Sequence, residues 1–292
     1  MPDYRQSKEY SCYFENSGWV VEKVKETVIL IKRIPLIGSV IKIQRCTHVP
    51  FAEIEKISRR EKALYVIVEA AISIKEDAYA KLETDFKKNH YQNLRRALCP
   101  SKTSYINLTK TEEEILASFD ETAKKSIKRN QAQKITIKIT ESLAEIYPLL
   151  QDTGKISNFF VQPLKDWQKQ WGGFGEKAQV ILAYKNNELL GGNMSLITPP
   201  QAFGLFLPST ATGRTYNIAT TLLWEGLKLA KKNGCTTFDL DGIYDDRSHS
   251  PKKWLGLTAF KRKFRGQEIE FIRAKIKIYA WFFKPLGWFG LV

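Results

Sequence analysis

Short apolar blocks alternate with longer amphipathic ones along the first part of the chain. Residues 28–31 and 64–68 are continuous apolar runs rich in β-branched side chains, a composition typical of buried strands. Residues 39–45 alternate apolar and polar positions, as a half-buried strand does. Apolar residues at helical spacing predict helices at residues 4–17, 53–62 and 77–89. The pattern therefore predicts an α/β arrangement.

The second part of the chain shows a more regular order of elements. Residues 142–153 and 163–171 predict two helices, and a long helix at 217–233 ends before Gly234. The pattern predicts a strand meander at 178–184, 189–197 and 202–207, and further strands at 135–139 and 236–240. This order is that of an acetyltransferase-like (GNAT) domain, and the first half has a looser version of it. We predict an α/β protein with two GNAT-like domains, each a mixed central sheet flanked by helices.

Residues 109–133 give the clearest helical pattern and are predicted as one helical region. Thr111 and Glu114 have the spacing of a capping box, in which each side chain bonds the other's backbone. The second half is strongly basic and includes Lys124 and Lys128. These lysines would form either a solvated helix face or a surface that meets phosphate groups.

The charge of the chain narrows the classes of ligand. The formal net charge is +15, which favours nucleic acid, anionic lipid or phosphorylated substrates without choosing among them. The cysteines and histidines lack metal-ligand spacing, so no metal site is expected. No apolar window is long enough to cross a bilayer. The aromatic C-terminal segment is expected to pack on its own domain or, alternatively, to lie at a membrane interface.

Residues 256–271, GLTAFKRKFRGQEIEF, interleave aromatic and cationic side chains before a strand-like alternation. Phe260, Lys261 and Arg262 suit a groove for an anionic, ring-bearing ligand. The alternative is a solvated charge run at a helix end. Asp239 and Asp241 follow the strand predicted just before this stretch, and the carboxyl ends of strands are where open α/β sheets bind ligands.

Four blocks of the chain resemble the Fem family of aminoacyl-tRNA-dependent peptidoglycan transferases. The resemblance rests on Gln6-Ser7 through Gly18-Trp19, on Pro100 through Leu108 followed by the basic helix, on Ser209 through Ala230, and on FDLDGI followed by GLTAFKRKFRG. The blocks span almost the whole chain in order. The chain departs from the family pattern at Phe14-Glu15, Ile218, Thr220 and Asp241.

The resemblance implies two GNAT-like domains. The first would cover residues 1–138, with 272–292 returning to it, and the second residues 139–271. It implies aminoacyl-tRNA as co-substrate, no cofactor, and a peptidoglycan precursor, lipid-linked or UDP-linked, as acceptor. By the same resemblance, Phe260 and Lys261 lie beside the tRNA end and the reacting ester, and Arg214 contacts the acceptor's phosphates. The protein would be cytoplasmic, with peripheral contact at the inner face of the membrane.

The implied reaction is the attack of a primary amine on an activated 3′-aminoacyl ester. Such a catalyst must position the two reactants and stabilise an oxyanion, and it needs no covalent nucleophile. Lys261 would supply the fixed positive charge, and Asp239 or Asp241 would orient the amine or accept its proton. A carboxylate at a strand end is also a common helix cap.

Two other functions are compatible with the sequence. The first is an acyl-CoA-dependent N-acyltransferase, which needs a glycine-rich turn for pyrophosphate at a helix N-terminus. The turn at residues 213–219 lacks the second glycine, which disfavours CoA. The second is a non-catalytic protein that binds tRNA or a membrane surface and transfers nothing.

Overall fold

A computed structural model of the chain describes residues 3–157, 160–248, 252 and 254–280. The described residues fall into two compact units. The first unit combines the residues up to Thr103 with 244–254 and the residues from Ile269 onward. The second combines residues 104–243 with 255–268.

The division between the units differs from the predicted boundary at residue 138. The structure places residues 104–138 in the second unit. The reason is packing, because Ile115, Phe119 and Ile127 belong to one buried cluster with Trp224 and Leu227. An amphipathic helix joins the unit that covers its apolar face, and the sequence pattern does not show which unit that is.

The helices of the described residues are α1 (Lys8–Asn16), α2 (Phe51–Arg60), α3 (Ala78–Lys88), α4 (Glu112–Ser118), α5 (Glu121–Ala132), α6 (Leu143–Ser157), α7 (Leu164–Gly172), α8 (Ala211–Thr215), α9 (Ile218–Lys232) and α10 (Trp254–Arg262). The strands are β1 (Val20–Val24), β2 (Thr27–Ile34), β3 (Gly38–Cys46), β4 (Ala63–Ala70), β5 (Gln92–Asn93), β6 (Lys102–Asn107), β7 (Thr136–Thr140), β8 (Ala178–Lys185), β9 (Glu188–Thr198), β10 (Gln201–Phe206), β11 (Thr237–Asp239), β12 (Gln267–Glu270) and β13 (Lys275–Ile278). Short 3₁₀ helices occur at Tyr4–Gln6 and Gly175–Lys177.

The first sheet has the strand order β1-β2-β3-β4-β13-β5. Strands β1, β2 and β3 form an antiparallel meander, and β4 then lies parallel to β3. The continuous apolar run in β4 is buried, because helices and neighbouring strands cover it. Strand β13 pairs antiparallel with β4, so this part of the segment predicted to return lies in the first sheet. The aromatic tail at 281–292 lies outside the described residues.

The second sheet has the order β12-β6-β11-β10-β9-β8-β7. Strands β8, β9 and β10 form an antiparallel meander, and β11 lies parallel to β10. Each sheet thus has a meander followed by one parallel pair, with a helix in each connection: α2 leads to β4 and α9 leads to β11. This confirms the predicted fold class of mixed sheets flanked by helices. Within the described residues no helix has the length and apolar character needed to span a bilayer.

The single helical region predicted at 109–133 is two helices. The capping box of Thr111 and Glu114 opens α4, as predicted. Helix α4 ends at Ser118, and Phe119 follows with an extended backbone. Asp120 then starts α5 by accepting a hydrogen bond from the Ala123 N–H. The Phe119 ring is buried between Trp224 and Phe264. Burial of this ring and the Asp120 cap together explain the break.

Candidate active site

The carboxyl end of β11 forms a tight turn around the side chain of Asp239. Asp239 is buried, and its Oδ1 accepts a hydrogen bond from the Asp241 N–H at 2.8 Å. Asp241 and Gly242 follow with φ of 49° and 98°, in the left-handed region that Asp and Gly tolerate better than most residues. The turn directs the carbonyl oxygens of Asp241 and Gly242 toward the same side chain, that of Lys261.

Lys261 lies in the last turn of α10 with 9% of its surface exposed. Its Nζ donates to the Gly242 carbonyl at 2.7 Å and to the Asp241 carbonyl at 3.2 Å. Burial lowers the pKa of Lys261, and the carboxylates of Asp241 and Asp239 oppose this effect only in part. An ammonium group has three N–H donors. Within the described residues, its two contacts to carbonyl oxygens therefore leave one N–H donor for a ligand.

The position of Lys261 follows from the aromatic residues around it. Phe260 and Phe264 are four residues apart, and their ring centroids are separated by 5.4 Å. Phe264 also packs against Phe119 in the core. Side chains at this spacing share one side of a helix. Phe260 is half-buried at the edge of the same cluster. Lys261, the next residue, is thereby directed toward the end of β11.

Arg262 points in a different direction from Lys261. Its side chain is exposed and forms an ion pair with Glu268, with an Nε–Oε1 distance of 2.7 Å. The structure therefore brings together Lys261, Asp239 and Asp241 of the predicted catalytic residues, with Phe260 adjacent along the helix. Arg262 lies on the outside of the same helix.

The other predicted binding residues lie on different elements of the second unit. Lys124 pairs with Glu121 one turn earlier on α5, and Lys128 is exposed. Arg214 is exposed in the last turn of α8, where its guanidinium donates to the Ser209 carbonyl at 2.9 Å. The three side chains are accessible to a large anionic ligand, and their contact with one remains a prediction.

Gly242, which contacts Lys261, and Asn130, which holds the turn that follows Arg214, were missed by the sequence interpretation. Gly242 supplies the shorter carbonyl contact to Lys261, and the Asp-Gly dipeptide after a strand was the available signal. Asn130, buried on α5, donates to the carbonyl of Tyr216 and to Thr221, while Arg129 donates to the same carbonyl. These bonds attach α5 to the turn between α8 and α9. A polar residue on the apolar side of a helix was the signal there.

A cavity of about 440 Å³ in the second unit lies away from the lysine cluster. It is lined by the end of β6, the start of β11 and the residues after α10, including Lys110, Thr236 and Arg265. None of the predicted site residues lines it. The predicted site residues therefore lie outside this cavity.

The first unit contains a different buried charged group, which the sequence interpretation also missed. Asp245 is 1% exposed and accepts hydrogen bonds from the Ser101 Oγ at 2.6 Å and from the Arg247 backbone N–H at 3.0 Å. The Arg247 guanidinium donates to the same carboxylate at 2.9 Å and 2.8 Å. Burial acts to raise the pKa of Asp245, but the bonds from Arg247 and Ser101 outweigh it, and the pKa is lowered.

Comparison with solved structures identifies the same two-unit fold elsewhere. The crystal structure of FemX matches with a TM-score of 0.82 at 15% identity, covering 98% of this chain and 94% of that one. The C-terminal domain of a putative lysylphosphatidylglycerol synthetase from Agrobacterium fabrum matches with a TM-score of 0.61 at 14% identity, covering 93% and 88%. A tandem GNAT protein from the clavulanic acid biosynthesis pathway matches with a TM-score of 0.51 at 9% identity, covering 89% and 83%.

No family model matches the sequence, and no curated protein matches it. At these identities the structural likeness establishes the fold and leaves substrates open. The chain therefore has a tandem GNAT-like fold of the kind found in FemX, as the sequence resemblance implied.

Proposed function

We propose that this protein is an aminoacyltransferase that moves an amino acid from aminoacyl-tRNA to the stem-peptide amine of a peptidoglycan precursor. The observation that carries the proposal is the buried Lys261 ammonium, held by two carbonyl oxygens beside Asp239 and Asp241 at the carboxyl end of β11. The likeness to FemX over almost the whole chain supports the same conclusion.

The chemistry requires little more than this arrangement. The acceptor nitrogen attacks the carbonyl carbon of the aminoacyl ester, and a tetrahedral oxyanion forms. The bond from this carbon to the ribose oxygen then breaks, the ribose oxygen takes up a proton, and the amine loses one. Lys261 would stabilise the oxyanion or the terminal phosphate of the tRNA. Asp239 or Asp241 would accept or orient the amine proton, because both carboxylates act electrostatically on the same ammonium group.

The turn before α9 argues against a CoA enzyme. A GNAT enzyme that uses CoA offers free backbone N–H groups at this helix N-terminus to bind pyrophosphate. Here residues 211–215 form α8, and the amides of Gly213, Arg214, Tyr216 and Asn217 donate to oxygens of the chain itself. These four amides are already engaged and are not available to a pyrophosphate.

The acceptor has a second candidate. A structural neighbour over most of the chain is named as a lysylphosphatidylglycerol synthetase. In that case the acceptor would be a lipid hydroxyl rather than an amine, while the aminoacyl ester and the role of Lys261 would be the same. The stem-peptide amine is preferred because the FemX likeness is closer.

The test is a transfer assay with purified protein and a mixed pool of labelled aminoacyl-tRNAs. Separate reactions contain UDP-linked muropeptide, lipid-linked muropeptide and phosphatidylglycerol vesicles. Label on either muropeptide supports the proposal, and label on the lipid supports the second acceptor. Absence of label on every acceptor, with folded protein that binds tRNA in a salt-dependent way, identifies a non-catalytic binding protein. Tight CoA binding in calorimetry would favour the acyl-CoA alternative.

A further inference from the structure

The hairpin between β2 and β3 in the first unit ends in an exposed apolar tip. The tip is Pro35-Leu36-Ile37, between Ile34 and Gly38, which pair across the hairpin. The Ile37 N–H donates to the Ile34 carbonyl at 3.1 Å, which closes a tight turn. Leu36 is 109% exposed and Ile37 is 57% exposed. Neither side chain belongs to the buried clusters of the first unit.

The backbone at the tip makes leucine an unexpected residue. Leu36 has φ of 63° and follows Pro35, and this is the turn position that glycine or asparagine normally occupies. A leucine there costs steric energy in the left-handed region, and full exposure returns no burial energy from the fold. The fold itself therefore does not account for a large apolar side chain at this position.

Basic side chains lie at the base of the tip. A groove of about 380 Å³ is lined by residues 33–38 and 60–62, with the cations Arg33, Arg60 and Lys62 and one carboxylate, Glu61. Arg33 and Arg60 both contact Glu61, and Arg60 also contacts Glu22. With Glu22 included, three cations face two carboxylates, which leaves a net positive charge at the base of the tip.

The lysine is held near the hairpin by close packing of the backbone. The Ser39 backbone N–H donates to the Lys62 carbonyl at 3.2 Å. A Cβ on Gly38 would lie 2.4 Å from that oxygen. Gly38 therefore permits the end of α2 to approach the hairpin base. Lys62 itself has φ of 48° and an exposed side chain.

We propose that this hairpin tip is a membrane-binding element that inserts Leu36 and Ile37 into the interface of an anionic bilayer. Apolar side chains enter the boundary between headgroups and acyl chains, while neighbouring Arg and Lys side chains remain at the level of the anionic headgroups. A second copy of the chain fits less well, because two side chains on a narrow turn offer far less than the roughly 800 Å² per partner of a stable dimer. The inference is independent of the proposed function, since vesicle binding is measured without aminoacyl-tRNA, so that no transfer occurs.

The test is co-sedimentation of the full chain with vesicles of pure phosphatidylcholine or of phosphatidylcholine with phosphatidylglycerol. We expect the wild type to bind the anionic vesicles. The double variant Leu36→Asn, Ile37→Ser should partition to them about tenfold more weakly. Lys62→Asn should weaken binding by severalfold. Asparagine is compatible with a positive φ, so both changes should leave the thermal midpoint unchanged. The matched control is Ile139→Ser, which removes a 52% exposed side chain from the second unit.

A second readout locates the contact. A polarity-sensitive fluorophore is attached to Leu36→Cys in a Cys12→Ser background, because Cys12 is an exposed thiol while Cys46, Cys99 and Cys235 are buried. Its emission should shift to the blue on anionic vesicles. Equal binding of the double variant and the wild type, or an unshifted label on bound protein, would overturn the proposal. Self-association without vesicles that the double variant abolishes would also overturn it, in favour of a second copy.

Discussion

The two units each bury charged side chains, and they compensate the charge in different ways. In the first unit Asp245 receives hydrogen bonds from the Ser101 hydroxyl and from the backbone and guanidinium of Arg247, so its carboxylate is surrounded by donors. In the second unit the Lys261 ammonium has two carbonyl acceptors, and the nearby carboxylates only partly offset its burial.

The difference separates a structural role from a chemical one. A buried ion that is fully hydrogen-bonded fixes a loop and has little left to offer a ligand. A buried cation with a lowered pKa and an uncommitted donor is less stabilised by its surroundings and interacts strongly with charge that develops next to it. The contrast is consistent with a structural role for the Asp245 network, and it supports the chemical role that we propose for the Lys261 cluster.

The largest expected effect is on the reaction. Lys261→Ala should lower transfer at least a hundredfold, about 3 kcal/mol in the barrier, because it removes the positive charge at the oxyanion. The thermal midpoint should change little, because removing the burial cost of the ammonium group offsets the loss of its two hydrogen bonds to carbonyl oxygens. Single-turnover kinetics and thermal unfolding measure the two quantities.

The control for this change is Lys263→Ala, which alters a half-buried lysine two residues away. It should retain the wild-type rate. Loss of cooperative unfolding in Lys261→Ala, or an equal loss of rate in Lys263→Ala, would contradict a chemical role specific to Lys261.

The next effect is on the stability of the first unit. Asp245→Asn should lower the free energy of unfolding by about 1–3 kcal/mol, because it removes the negative charge beside Arg247 and replaces one of the two acceptor oxygens with an NH2 donor. The folded pKa of Asp245 is lowered, so its contribution is present above the unfolded value of about 3.9 and is lost as pH falls through the folded pKa. Urea unfolding at several pH values measures both effects. Asp246→Asn, at an exposed neighbour, is the control and should change neither.

A smaller effect is expected on the pH profile. The Asp241 carboxylate acts to raise the pKa of Lys261, so Asp241→Asn, besides removing a candidate proton acceptor, should lower that pKa further. If Lys261 acts as a cation, the transfer rate falls at alkaline pH when Lys261 loses its proton. This fall should occur at a lower pH in Asp241→Asn than in the wild type. Asparagine tolerates the φ of 49° at this position. Single-turnover rates, corrected for ester hydrolysis, test this. A shift of the alkaline fall in rate to higher pH would contradict the proposed role of Lys261 as a cation.

The smallest effect is expected for Arg262. Its side chain is exposed and paired with Glu268, and such surface pairs contribute little to stability. Arg262→Ala should raise the KM for aminoacyl-tRNA severalfold through lost phosphate attraction and leave kcat unchanged. Steady-state kinetics at two salt concentrations measure it. A fall in kcat as large as that of Lys261→Ala would instead indicate that Arg262 acts in the chemical step.

The sequence predicted the elements well where periodicity is local. The alternation in β3, the apolar run in β4 and the capping box of α4 all occur where the pattern placed them. The break between α4 and α5 was not predicted, because it depends on Phe119 packing against Trp224, more than a hundred residues away. The boundary between the units was misplaced for the same reason.

The candidate site was predictable in part. The strand end with Asp239 and the Phe-Lys pair were visible as sequence patterns, and the structure brings Lys261 and Asp239 into one cluster. The carbonyl of Gly242 and the network of Asp245 were not visible, because they depend on backbone direction and on Ser101, 144 residues away along the chain. The pattern of side chains along a sequence does not show which backbone carbonyl oxygens will accept hydrogen bonds.

The most direct test of the assignment compares Lys261→Ala with Asp245→Asn in one single-turnover transfer assay, with rates expressed per folded molecule. We predict that Lys261→Ala loses at least two orders of magnitude while Asp245→Asn stays within about threefold of the wild type. The opposite ranking, with Lys261→Ala active and Asp245→Asn inactive although folded, would contradict the assignment of chemistry to the second unit.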